Sequence, residues 1–312
     1  TRLIFPQINF VFLVFAFAIL SLLFQIFASY KNYSKYLKYL ALVLFAYIFS
    51  ALSVDINWSD VLSAVLRPSF DFSKEQMILI CAVMGTTISP YLFFWQTSQE
   101  VEEQILKGDK TEEDRRFKTT ELDIKNMRID VWSGMFISNL VMFFIIAVCA
   151  ATLYTNGILN INTSGDAALA LKPFAGNFAY ILFTLGILGT GFLSIPVLAA
   201  SASYAISESF GWKTGLYRKL KQASAFYGVI ILAMFLGIVL NLIGLNPIKT
   251  LIYSAVFNGL VSPIILFLIV RIASREDVMG KYKNRTASKF FGWFTVGVMT
   301  LLSATAIIFL LL

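Results

Sequence analysis

The stretch Leu79-Ile80-Cys81-Ala82-Val83-Met84-Gly85-Thr86-Thr87-Ile88-Ser89-Pro90-Tyr91-Leu92-Phe93-Phe94-Trp95-Gln96-Thr97-Ser98 decides how this chain is read. It has the length and apolarity of a bilayer-crossing helix, which needs about 20 residues. Yet it carries its own interruption. Gly85 and Pro90 bracket four residues, three of which bear hydroxyls. Pro90 has no N–H, and its ring clashes with the carbonyl four residues earlier, that of Thr86. Carbonyls around Gly85–Thr87 then lose their helical partners. At bilayer depth such groups persist only when buried in protein or lining a cavity. Two readings fit. Discontinuous helices of this kind build midplane ion sites in secondary transporters; the other reading is a plain proline kink patched by threonine hydroxyls.

The rest of the chain sets the same solvent. Of its 312 residues 58% are hydrophobic and only 14% charged, with a mean hydropathy of +0.76. A soluble domain carries about 25% charge. Eight apolar runs reach spanning length: Ile8–Ser29, Tyr36–Val54, Gln76–Ser98, Val131–Leu153, Phe178–Ser207, Ala223–Leu242, Thr250–Val270 and Phe290–Leu311. The pattern predicts an all-α integral membrane protein of about eight transmembrane helices, one transporter domain over residues 1–312. A transmembrane barrel is excluded, because its strands read as alternating segments of about ten residues.

Lys and Arg set the orientation, since cytoplasmic loops are enriched in both. The loops after the first, third, fifth and seventh runs hold Lys31 to Lys38, Lys107 to Arg128, Lys213 to Lys221 and Arg271 to Lys289. The other side holds only Arg2, Arg67, Lys74, Lys172 and Lys249. The Gln99–Arg128 loop is therefore predicted to be cytoplasmic and the C-terminus external. An amphipathic pattern between Asn162 and Gly176 predicts an external half-helix. The net charge of +7 belongs to these loops and not to a nucleic-acid-binding face. The partner surface is the lipid bilayer.

The chain has no histidine, and its two cysteines, Cys81 and Cys149, lie inside apolar runs. Imidazole metal sites and histidine-based catalysis are thereby excluded, and no run contains an acid to serve as general base. The reading is a non-enzyme without a resident cofactor. The missing intramembrane charge, the usual mark of an ion path, leaves an ion carrier short of a charged ligand.

The string Gly85-Thr86-Thr87-Ile88-Ser89-Pro90 resembles the Gly-Ala-Thr-x-Met-Pro-His signature in the sixth helix of the NRAMP family of divalent-metal transporters; Gly85, Thr87 and Pro90 match. Tyr91 to Thr97 takes the place of the family's His-Asn-Leu-Tyr-Leu-His-Ser. Ile129-Asp130 and Asn139 resemble its seventh helix, and the Ser98–Glu103 continuation is similar to a divergent bacterial branch. The resemblance implies helices four to eleven of an eleven-helix, inverted-repeat (LeuT-type) protein in the bacterial cytoplasmic membrane. It also implies an N-terminally incomplete chain, whose absent first helix brings the acidic ligand. A divalent metal ion is the implied substrate. Thr86, Ser89 and Asn258 are its candidate ligands, Gly85, Thr87 and Pro90 the helix break, and Tyr91, Gln96 and Asn139 pathway residues.

Three departures bear on the ion. Ser89 stands where the family has a thioether, and the family's histidines are Tyr91 and Gln96. The basic pair of the family's ninth helix has no counterpart within Ala223–Leu242. Soft sulfur favours Mn²⁺ and Fe²⁺, whereas oxygen suits hard ions. An oxygen-only site predicts Mg²⁺. The alternatives are an amino-acid or other organic-solute permease of the same superfamily, then a membrane-embedded enzyme or a structural subunit.

Overall fold

A computed structural model describes residues 7–27, 39, 42–88, 91–161 and 163–311. Among these residues the elements are helical and no strand occurs. Six segments are long and apolar enough to cross a membrane: Lys74–Lys107, Glu121–Asn156, Ala179–Ser209, Ser224–Leu242, Pro247–Ala273 and Thr286–Leu311. They correspond to the last six of the eight apolar runs. The chain is a multi-pass helical membrane protein.

The first two runs are described in part. Ile8–Ser29 contains an 18-residue helix, Phe10–Phe27, which spans about 27 Å at 1.5 Å per residue. Of Tyr36–Val54, residues 36–38 and 40–41 lie outside the described ones. The remainder is helical over Leu42–Ser53 and ends at Val54 as expected. The chain then turns by 112° into a further helix, Trp58–Leu66, and this bent pair makes a seventh span if counted as one. Hydropathy gave no sign of that second helix because its start is a cap. The Asn57 side-chain carbonyl accepts from the Ser59 and Asp60 amides at 3.2 and 3.4 Å, the usual way of satisfying orphan N–H groups.

Caps organise the Gln99–Arg128 connection, which is mostly helical. Thr97–Lys107 ends at Gly108, whose φ of 110° suits only glycine. Glu112–Lys118 begins at Thr111, whose hydroxyl accepts from the Asp114 amide at 3.0 Å. The Thr111 side chain in turn holds the Asp114 carboxyl below its ordinary pKa. A reciprocal box between Thr120 and Asp123 starts the 32-residue helix Glu121–Thr152.

Contacts divide the chain into two compact units, one of Thr1–Leu62 with Pro90–Leu245, the other of Ser63–Ser89 with Asn246–Leu312. Within the second, Lys74–Thr87 packs on Pro247–Ala273 and Thr286–Leu311. Within the first, one core gathers Trp95, Ala200, Tyr204, Phe226, Tyr227 and Ile230. Another gathers Tyr47, Ala51, Val148, Ala170 and Leu171. Leu171 and Ala170 come from the short helical turns of 164–178, so the predicted half-helix lies on its bundle. Ala179–Ser209 runs unbroken through Pro196. Its small residues Gly186, Gly189, Ala199, Ala200, Ser201 and Ser203 are buried, as close helix packing requires, while Ser194 is exposed.

Candidate functional site

Lys74–Thr87 is capped by Ser73, whose hydroxyl accepts from the Gln76 amide, and it stops at Thr87. Ile88 then leaves the helical region at φ −91°, ψ 76°. Ser89 and Pro90 lie outside the described residues. The Ile88 amide bonds to the Met84 carbonyl at 3.0 Å. The hydroxyls of Thr86 and Thr87 both donate to one oxygen, the Val83 carbonyl, at 2.7 and 3.0 Å. This is the threonine patch of a helix end. A hydroxyl that donates its proton keeps lone pairs that can face a cation.

Gly85 is fixed by its neighbours. A Cβ there would lie 2.1 Å from the Ala255 carbonyl oxygen and 2.5 Å from the Gly259 nitrogen. A Cβ on Gly259 would lie 2.5 Å from the Cys81 carbonyl oxygen. The two helices thus touch backbone to backbone, with Cys81 fully buried between them. The Gly259 carbonyl takes two hydroxyls, from Ser262 at 2.8 Å and from Ser303 at 2.9 Å. Ser254, Asn258 and Ser262 stand four residues apart along the Pro247–Ala273 helix; Ser254 bonds its own helix at Thr250 and Ser262 bonds Gly259. Asn258, half-buried and adjacent to the Gly85 contact, has no hydrogen-bond partner among the described residues. It is the member of the three whose side chain is not already committed to a hydrogen bond among the described residues.

Beyond the break, Tyr91–Gln96 forms a π-helical turn that continues into Thr97–Lys107. Such turns absorb a register change in a helix and are frequent at functional sites. Tyr91 donates to the Gln96 side-chain oxygen at 3.3 Å, and Gln96 donates to Glu100 at 3.2 Å. The two pathway candidates are therefore joined in one chain of hydrogen bonds. Asn139 stands apart from them in its bonding, donating to the Met135 carbonyl of its own helix at 2.7 Å. Among the described residues no group of three or more His, Cys, Asp or Glu side chains could hold a metal ion.

One residue escaped the sequence reading. Glu102, in the stretch predicted to be a cytoplasmic loop, is only 7% exposed. Val101 and Ile105, four apart, mark the cavity-lining face of that helix. That spacing was the available signal for a carboxylate between them.

Comparison with known proteins bears on this arrangement. The family model described as "Natural resistance-associated macrophage protein-like" (Nramp) matches residues 1–309. The chain belongs to the Nramp family. A protein named divalent metal cation transporter MntH from Caldanaerobacter subterraneus is 25% identical over 263 residues, covering 84% of this chain and 58% of the relative. A Deinococcus radiodurans protein of the same name is 26% identical over 216 residues, 69% of this chain and 45% of the relative. A Haemophilus influenzae protein named an uncharacterized membrane protein is 29% identical over 153 residues, 48% of this chain and 36% of the relative. This Nramp chain spans about half the length of the curated relatives it matches.

Proposed function

We propose that this chain forms part of a carrier for divalent metal cations, with the ion bound near mid-membrane where the third span is interrupted. The observation that carries the reading is the end of a capped, tightly packed helix at Thr87, where Ile88 leaves helical geometry, in a chain of the Nramp family. Its relatives named as divalent metal cation transporters support the choice of cargo over an organic solute.

The Thr86 carbonyl, the Ser89 hydroxyl and the Asn258 side-chain oxygen are the proposed ligands. Gly85, Thr87 and Pro90 shape the break, and Tyr91, Gln96 and Asn139 belong to the path. All three ligands are neutral oxygens, which suit a hard ion. Mg²⁺ keeps part of its water shell in protein sites, and a short serine leaves room for that water. Mg²⁺ is accordingly the proposed preferred cargo over Mn²⁺ and Fe²⁺. The test is uptake by the full-length protein in proteoliposomes. Divalent-ion uptake, competed by Mg²⁺, is expected; amino-acid uptake with no flux of any divalent ion would replace the proposal with a permease.

The Lys and Arg distribution supports an orientation in a bacterial cytoplasmic membrane with residues 99–128 inside and the C-terminus outside. In intact cells an impermeant thiol reagent is expected to modify Asn160→Cys and to spare Lys110→Cys. The reverse pattern overturns the orientation.

A further inference from the structure

Glu102 lies at a cavity of about 180 Å³ lined by Thr97, Ser98, Glu208, Thr214 and Tyr217 among others. Its Oε1 accepts from the Tyr204 hydroxyl and from the Leu216 amide, the latter at 2.8 Å. Tyr204, 2% exposed, is also within 3.3 Å of the Leu216 amide and 3.4 Å of the Gln99 side-chain nitrogen. No Lys or Arg forms an ion pair with Glu102 among the described residues. One carboxylate oxygen thus joins three segments: the Thr97–Lys107 helix, the Ala179–Ser209 helix and the connection that precedes Ser224.

The connection is shaped for this contact. Gly215 has φ +123°, and a Cβ there would lie 2.4 Å from the Tyr217 ring and 3.2 Å from Glu102 Oε1. Only glycine brings the next amide close enough. The turn is also braced by Arg218, which donates to the Thr214 carbonyl at 3.0 Å, and by Tyr227, which donates to the Arg218 carbonyl at 2.9 Å. Hydrogen bonds to an ionised acceptor are about twice as strong as neutral ones. Both donors converge on one atom, so the contact is made or lost as a unit.

We propose that Glu102 is a latch: its carboxyl group holds the Thr214–Tyr217 turn against the Thr97–Lys107 helix, forming one wall of the cavity, and its release lets that wall move away and widens the cavity. The functional half of this inference rests on the transport reading above. There Glu102 is a positioning residue, which sets how fast the carrier turns over and not how tightly it holds its ion.

The test uses the full-length protein carrying Thr214→Cys, with Cys149→Ala to lower background, and the reaction rate of a small water-soluble thiol reagent. Glu102→Ala should raise that rate roughly tenfold or more, since it leaves both the Tyr204 hydroxyl and the Leu216 amide without their acceptor. Glu102→Gln, which keeps an acceptor without charge, should raise it less. Tyr204→Phe removes a single hydroxyl and carries the test if Glu102→Ala is not recovered folded. In proteoliposomes the same variants should change the maximal rate of Mg²⁺ uptake and leave its KM in place. Equal labelling rates in parent and variants of unchanged elution profile would overturn the latch, and a changed KM at unchanged maximal rate would overturn its positioning role. Faster labelling in the variants of a parent without any cation uptake would uphold the latch and sink the transport reading.

Discussion

The two helical stretches of the third span, Lys74–Thr87 and Tyr91–Lys107, are held by different forces. Lys74–Thr87 is locked by backbone shape: Gly85 and Gly259 leave no room for a methyl group, and the polar atoms nearby bond to main-chain carbonyls. Tyr91–Lys107 is held by side chains: Trp95 in an aromatic core, the Tyr91–Gln96–Glu100 chain, and Glu102 with its two donors. Close-packed backbone has one arrangement and resists deformation. A side-chain network has partners that can be exchanged for water. The contrast teaches which half of a broken helix is suited to stay still and which is suited to move.

The largest effect should come from filling the backbone contact. Gly85→Ala puts a methyl 2.1 Å from a carbonyl oxygen, and overpacking of this kind costs about 3 kcal/mol. The unfolding midpoint of the detergent-purified protein should drop accordingly, and Gly259→Ala should behave alike. Gly228→Ala, where a Cβ meets nothing within 4 Å, should leave the midpoint unchanged or raise it slightly. A tolerant Gly85 would erase the contrast between the halves.

The second half should lose less per substitution. Tyr204→Phe removes a donor to a buried carboxylate, worth about 1.5–3 kcal/mol when the partner is charged. The same denaturation measurement checks it, and a neutral result would mean that Glu102 is satisfied without the tyrosine. The smallest effect is expected at Ser303→Ala. The Gly259 carbonyl keeps the Ser262 hydroxyl at 2.8 Å, so the loss should stay near 1 kcal/mol.

The same contrast explains what was legible in the sequence. Gly85 and Pro90 act on the backbone locally, so a helix end near them can be expected from sequence; the described helix ends at Thr87, and Pro90 lies outside the described residues. The six long spans follow from hydropathy, which sums over a window and tolerates errors at any one position. The partner of Gly85 was not legible, because contact with Ala255 and Gly259 joins positions some 170 residues apart. Nor was the burial of Glu102, which depends on Tyr204 and Leu216 arriving from elsewhere. Trp58–Leu66 and Glu112–Lys118 were missed for a different reason. Their starts are written in Asn57, Thr111 and Asp114, a code of caps to which an average of apolarity is blind. Asn139 matched a family pattern, yet its amide bonds to its own helix, since a motif match carries no rotamer.

The central claim is that the proposed site offers oxygen where the family offers sulfur, and Ser89 is the residue on which it turns. Its most direct test is uptake by the full-length protein in proteoliposomes with Mg²⁺ and Mn²⁺ in competition, Ser89→Met against the unaltered protein. The account predicts that the unaltered protein favours Mg²⁺ and that the introduced thioether moves the ratio towards Mn²⁺. A preference for Mn²⁺ already in the unaltered protein, or a ratio that does not move on substitution, would contradict it.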